Sequence, residues 1–124
     1  MPIGPLILVV DDDHAIRSTV IDILNSEGYN VLSAANGAEA LELVELHNPD
    51  LVLLDMRMPV LDGWGFAKAL AARSLSLPIV VMTAAQDARQ WGREVAAVGV
   101  LAKPFDVGEM LDIVEQVLAG QRNT

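Results

Sequence analysis

Cysteine is absent from the 124 residues. Its absence excludes a disulfide framework and a thiolate metal site. Basic residues are few: eight against seventeen acids, for a formal net charge of −9. A phosphate backbone or an anionic membrane selects a basic face, so direct binding to nucleic acid or membrane is not expected. Long apolar runs are also missing. The longest are far too short to span a bilayer and no signal peptide precedes them, so the expected compartment is the cytoplasm. No linker, low-complexity tract or second domain interrupts the chain. It is expected to form one domain over residues 1–124, with a core at about 6–119 and short tails.

What is present is one pattern, repeated. Short apolar runs at Leu6–Val10, Val31–Ala34, Leu51–Leu54, Ile79–Met82 and Val100–Ala102 alternate with stretches of helical period. "LILVV", "LVLL" and "IVVM" are apolar at every position, which predicts parallel strands covered on both faces. Between the runs, Ile16, Val20, Ile23 and Leu24 form one helical stripe. Val107, Met110, Leu111, Val114, Val117 and Leu118 form the cleanest one, at spacings of three and four. The turn clusters "SEGYN", "HNPD" and "SLSLP" separate the units. Gly120 is expected to close the last helix, leaving only "QRNT". Five strand–helix units imply an α/β fold, a doubly wound parallel sheet with helices on both faces.

In such sheets function gathers beyond the carboxyl ends of the strands. The residues directly after the runs are Asp11, Asp12 and Asp13, then Asp55, then Thr83 with Ala84 and Ala85, then Lys103 with Pro104. Each has a plain structural reading. Asp13 is most simply the cap of the first helix, and Asp11 or Asp12 could cap it too. One helix needs one cap, so at least one acid is left without that duty. Asp55 could be a loop acid, yet a carboxylate joined to "LVLL" starts half buried, which is costly without a partner. Thr83 could simply be a good strand residue. Lys103 could be a solvated lysine, but the chain has only two, Lys68 and Lys103. A lysine at a rim of carboxylates is better explained as their counter-charge.

Two carboxylates ~4 Å apart repel by ~4 kcal/mol at an effective dielectric of ~20. Bunching three aspartates therefore points to a compensating ion. An acid cluster plus a separate aspartate is an oxygen-rich site for a hard cation such as Mg²⁺, which takes one or two carboxylates, waters and phosphate oxygens. A carboxylate can attack phosphorus and form an aspartyl phosphate. The transferring phosphoryl group then needs metal, a lysine and hydrogen-bond donors. In that chemistry Asp55 would accept the phosphoryl group, Asp11 and Asp12 would hold the metal, Lys103 would pair with phosphate and Thr83 would donate a hydroxyl. Ala84 and Ala85 would leave room above the fourth strand.

The pieces "ILVVDDD", "PDLVLLDMRMPVLDG", "PIVVMTA" and "AKPF" follow one another in this order over nearly the whole chain. In this the chain resembles the receiver domain of bacterial response regulators, the phosphoacceptor modules of two-component signalling. The resemblance implies a flavodoxin-like sheet of five parallel strands in the order 2-1-3-4-5, flanked by five helices. It implies Asp55 as the phosphorylated residue, Asp12 as a direct Mg²⁺ ligand and Asp11 as its water-bridged companion. Asp55 and the backbone carbonyl of Arg57 would complete the metal site. Thr83 would be the switch hydroxyl and Lys103 the phosphate-pairing lysine, with a cis bond to Pro104. A histidine kinase or histidine phosphotransfer protein would donate the phosphoryl group, and a downstream protein would read it. No enzymatic turnover is implied beyond making and hydrolysing the aspartyl phosphate.

The chain also departs from the family pattern. Receiver domains often carry Tyr or Phe three residues before the lysine as a second switch residue; here that position is Val100. "VGVLAKPF" is shorter than the commoner spacing between glycine and lysine. The preceding "QDARQWGREVAAVG" has a thin stripe of Trp91, Val95 and Val98 with Gly92 inside, which predicts a weakly held fourth helix. Phosphorylation is therefore expected to act on Ala84 to Val98 rather than through Val100. Three other readings compete. "DDDHA" loosely fits the nucleophile loop of haloacid-dehalogenase-type phosphatases through Asp11 and Asp13, but Asp55 would then have no role and the chain is short for a substrate cap. A flavodoxin-like cofactor domain needs a phosphate-cradling first loop, which three aspartates would oppose. A receiver-like interaction module that is never phosphorylated would not need the full set of acids, Thr83 and Lys103.

Overall fold

The computed structural model describes residues 4–122; residues 1–3 and 123–124, the ends of the expected tails, lie outside the described residues. The chain alternates β1 (Leu6–Val10), α1 (His14–Ser26), β2 (Asn30–Ala34), α2 (Gly37–His47), β3 (Leu51–Asp55), α3 (Gly63–Ala72), β4 (Ile79–Ala84), α4 (Ala85–Glu94), β5 (Gly99–Lys103) and α5 (Val107–Arg122). The five strands form one parallel sheet in the order β2-β1-β3-β4-β5. No helix among the described residues is long and apolar enough to cross a membrane.

Successive side chains of a strand point to opposite faces of the sheet. Leu8, Val10, Val52, Leu54, Ile79 and Val81 face one way and pack with Ala40, Leu41 and Val44 of α2 and Phe66 and Leu70 of α3. Ile7, Val9, Leu51, Leu53, Val80 and Met82 face the other way and meet Val20 and Leu24 of α1 and Met110, Val114 and Leu118 of α5. The unbroken apolar runs are thus used on both faces. Each fully buried Val, Leu, Ile or Met side chain contributes ~1.5–3 kcal/mol, so these two layers drive folding and hold the strand ends in register.

Helix starts follow the local chemistry. Asp13, Asn36, Asp62 and Asp106 accept from the N–H groups of Ile16, Glu39, Gly65 and Glu109 at 3.1, 3.0, 2.8 and 2.7 Å. Each satisfies a backbone donor that the first turn leaves free. Helix α4 has no such cap, because Ala84 precedes it, and its buried residues are only Ala88 and Gly92. A Cβ at Gly92 would lie 2.6 Å from Val100 Cγ1. Glycine is therefore what lets α4 approach β5 so closely.

Some boundaries differ from the sequence expectation. Strand β3 includes Asp55, β4 runs on through Thr83 and Ala84, and β5 runs on to Lys103. The polar residues expected just after the strands are their last residues, because the ladder continues: Asp55 pairs with Met82, Thr83 with Ala102 and Ala84 with Lys103. Gly120 does not close the last helix; α5 continues to Arg122. Glycine in a helix interior costs only ~0.5–1 kcal/mol relative to alanine, and the packing of Met110, Val114 and Leu118 outweighs that. Val98, expected in the stripe of α4, is 59 % exposed. It lies beyond the helix, where its N–H donates to the Ile79 carbonyl at 2.8 Å.

Candidate functional site

Register brings the polar strand ends together. Val10 lies opposite Leu54, which sets Asp11 level with Asp55. Asp55 lies opposite Met82, one residue before Thr83, and Thr83 lies opposite Ala102, one residue before Lys103. Asp11, Asp55, Thr83 and Lys103 thus occupy the carboxyl rim of four adjacent strands. Asp11 is fully buried, Asp55 is 8 % exposed and Thr83 is 6 % exposed. Asp12 and the side chains of Ala84 and Ala85 are exposed.

The acids form one cluster. Carboxylate oxygens of Asp11, Asp12 and Asp55 lie within 4.8 Å of one another. Lys103 enters it from β5, its ammonium 3.0 Å from Asp11 Oδ2 and 3.7 Å from Asp55 Oδ1. One cation faces three carboxylates. Burial pushes the Asp55 carboxyl up from 3.8 to about 7; Asp11 and Asp12 add to the rise, and Lys103 opposes it. A buried carboxyl beside like charges gives up its proton reluctantly. The donor set, all carboxylate oxygen with an unbalanced negative charge, fits a hard divalent cation and would suit neither a soft metal nor an anion.

Asp11 is held on all sides. Its Oδ1 accepts the Asp13 N–H at 2.9 Å, and its own N–H donates to the Ala34 carbonyl at 3.1 Å. Arg17 Nη1 donates to the Asp11 carbonyl at 2.6 Å. Arg17 was not singled out from the sequence. Its helical offset of three from His14, whose Nδ1 lies 3.3 Å from Arg17 Nη2, was the available signal. Asp13 is the cap of α1 and lies outside the acid cluster. The Lys103–Pro104 bond is cis.

Contacts at Met56 and Arg57 help to pin the loop after β3. The Gly63 N–H donates to the Met56 carbonyl at 2.9 Å. A Cβ at residue 63 would lie 2.6 Å from Met56 Sδ, so this approach requires glycine. The Arg57 guanidinium sits over the Trp91 ring, 5.0 Å from its centroid. Trp64 was not singled out from the sequence either. It meets Trp91 edge-on, with centroids 4.9 Å apart. Val100 is 38 % exposed and packs toward Gly92.

Comparison with known proteins agrees with this geometry. Residues 7–115 match the family model described as the response regulator receiver domain. The chain is 40 % identical over 119 residues to sporulation initiation phosphotransferase F of Bacillus subtilis, covering 94 % of this chain and 96 % of that one. It is 38 % identical over 112 residues to the transcriptional regulatory protein PdtaR of Mycobacterium tuberculosis, covering 88 % of this chain but only 54 % of that longer protein. Among solved structures, the chemotaxis protein CheY4 of Vibrio cholerae superposes with a TM-score of 0.83 at 34 % identity, over 93 % of this chain and 99 % of that one. The Francisella response regulator 1452 receiver domain superposes with a TM-score of 0.87 at 28 % identity, over 98 % of this chain and all of that one. With the strand order, the acid cluster and the matched residues in agreement, the chain belongs to the response regulator receiver domain family.

Proposed function

We propose that this receiver domain accepts a phosphoryl group on Asp55 from a histidine kinase or a histidine phosphotransfer protein, and that the phosphorylated form binds a downstream protein differently from the unphosphorylated form. The observation that carries the reading is the convergence of three carboxylates and the Lys103 ammonium around a nearly buried Asp55. An Asp55 oxygen attacks phosphorus, the P–N bond to the donor histidine breaks, and the electron pair leaves with the imidazole. The product is an acyl phosphate on Asp55. Lys103, already 3.7 Å from that carboxylate, neutralises charge on the transferred group. Thr83, at the end of the neighbouring strand, donates its hydroxyl to a phosphoryl oxygen.

Asp11, Asp12, Asp55 and the Arg57 carbonyl would hold Mg²⁺. Asp12 is the exposed acid of the pair and the freer to ligate directly, whereas both Asp11 oxygens already have protein partners. The bound ion would lower the cost of ionising Asp55 and offset phosphoryl charge. The phosphatase reading through Asp11 has little support: that carboxylate is fully buried and paired, and Asp13 is occupied at the helix start. The protein is read as a cytoplasmic signalling module without catalytic turnover of separate substrates.

A two-dimensional NMR titration tests the reading. Mg²⁺ should shift amides at Asp11–Asp13 and Asp55–Arg57. Beryllofluoride, a phosphoryl mimic, should then shift Thr83 to Val98 only when Mg²⁺ is present. Shifts scattered over the molecule, or no response to either, would count against it.

A further inference from the structure

The loop that follows Asp55 is tied to α4 by a cluster made of residues far apart in the chain. Arg57 lies over Trp91, Trp91 meets Trp64 edge-on, and Trp64 Nε1 donates to Glu94 Oε1 at 2.7 Å. Gln90 Nε2 donates to the other Glu94 oxygen at 3.1 Å. The cluster thus joins the β3–α3 loop, the first turn of α3 and the last two turns of α4. Its position is informative because α4, although it packs on β4 and β5, has no side-chain cap and buries only Ala88 and Gly92.

The loop is short of other anchors at the same point. The Met56 carbonyl is taken by Gly63, whereas among the described residues no hydrogen bond reaches the Arg57 carbonyl. That carbonyl is two residues beyond Asp55 in the chain. The residue's other end, the guanidinium, is held in place. A cation within about 6 Å of an indole centroid is attracted by its π-face, and Trp91 supplies that face.

We infer that Trp91 is a positioning residue for the metal-binding loop: it holds the Arg57 side chain, thereby orients the Arg57 carbonyl toward the acid cluster, and couples that cluster to α4. The inference rests on the reading of Asp11, Asp12 and Asp55 as an Mg²⁺ site. Coupling of this kind is reciprocal. If α4 affects how the loop binds the metal, the metal affects the placement of α4 to the same extent. Here the path runs through Arg57, Trp91 and Glu94 and bypasses Val100.

Calorimetric titration of the full chain with Mg²⁺ tests this. Trp91→Leu keeps an apolar side chain but removes the π-face, and should weaken Mg²⁺ binding about two- to fivefold, the range of one exposed cation–π contact. In an Arg57→Ala background the same substitution should change the affinity no further. Arg57→Lys, which keeps a cation over the ring, should restore the effect. Hydrogen exchange at residues 88–95 should respond to Mg²⁺ in the wild type and not in Arg57→Ala. Trp91→Phe, milder for packing, should fall between wild type and Trp91→Leu, and thermal midpoints without Mg²⁺ check that each variant is folded. Equal effects of Trp91→Leu in both backgrounds would mean that Trp91 only packs α4, and would overturn the inference while leaving the metal site standing. Failure of the wild type to bind Mg²⁺ would overturn the site reading and the inference together.

Discussion

Asp55 carries the conflict on which the chemistry depends. Its carboxyl is raised to about 7, first by burial and then by Asp11, with Lys103 pulling the other way. The folded protein therefore holds a proton on Asp55 in a range where the unfolded chain has lost it. This contribution to stability is full below about pH 4 and is lost as pH rises through about 7. Metal-free wild type should lose stability over that window relative to Asp55→Asn, as chemical denaturation at several pH values would show. Parallel curves would mean that burial and the neighbouring acids do not raise the Asp55 carboxyl as the structure implies. Val60 carries a different strain. It is β-branched, has φ of 69° and is 82 % exposed, so it has a left-handed backbone with almost no burial in return. Val60→Gly should stabilise the fold by ~1 kcal/mol, measured as a shift in denaturation midpoint. A loss of stability would mean that its side chain packs more than its exposure indicates.

At the scale of elements, α4 is where the proposed switch would act. It begins at the exposed Ala85, directly after Thr83 and Ala84 end β4, without a side-chain cap. A phosphoryl group can shift α4 only through contacts that differ between two states. In the proposed mechanism Thr83 would supply one such contact, and the loop carrying Arg57 would supply another. Val100 is stiff about its first torsion and already packs toward Gly92, so it has little room to act as a rotating switch. Beryllofluoride with Mg²⁺ should change hydrogen exchange chiefly over Ala84 to Val98 and alter tryptophan fluorescence. Thr83→Ala should weaken both responses severalfold. A response concentrated at Val100 to Ala102 would contradict this account of the switch.

For the whole molecule, the same periodicity that gives the core also gives the site. Leu51 to Leu54 is apolar at every position because both faces of β3 are covered, and that is why the following Asp55 is nearly buried. The alternation of strands and helices and the rim residues were legible because they depend on local runs and on what ends them, whereas the strand order followed only from the resemblance to receiver domains. Strand ends were less legible: whether Thr83 and Lys103 continue a ladder depends on partners in other strands. The end of α5 was misplaced because Gly120 was weighed without the packed face before it. The Arg57–Trp91–Trp64–Glu94 cluster was hidden because Trp64 and Glu94 are thirty residues apart. Mg²⁺ should bind the folded site and not the unfolded chain, raising stability by ~2.7 kcal/mol at about 100 times its dissociation constant. Asp12→Asn should remove most of that gain in a thermal melt, and an undiminished gain would place the metal elsewhere. The central claim is that Asp55 is the phosphoacceptor, and its most direct test is the intact mass after incubation with acetyl phosphate and Mg²⁺. The wild type should gain one phosphoryl group and Asp55→Asn none. Equal labelling of the two would contradict the account.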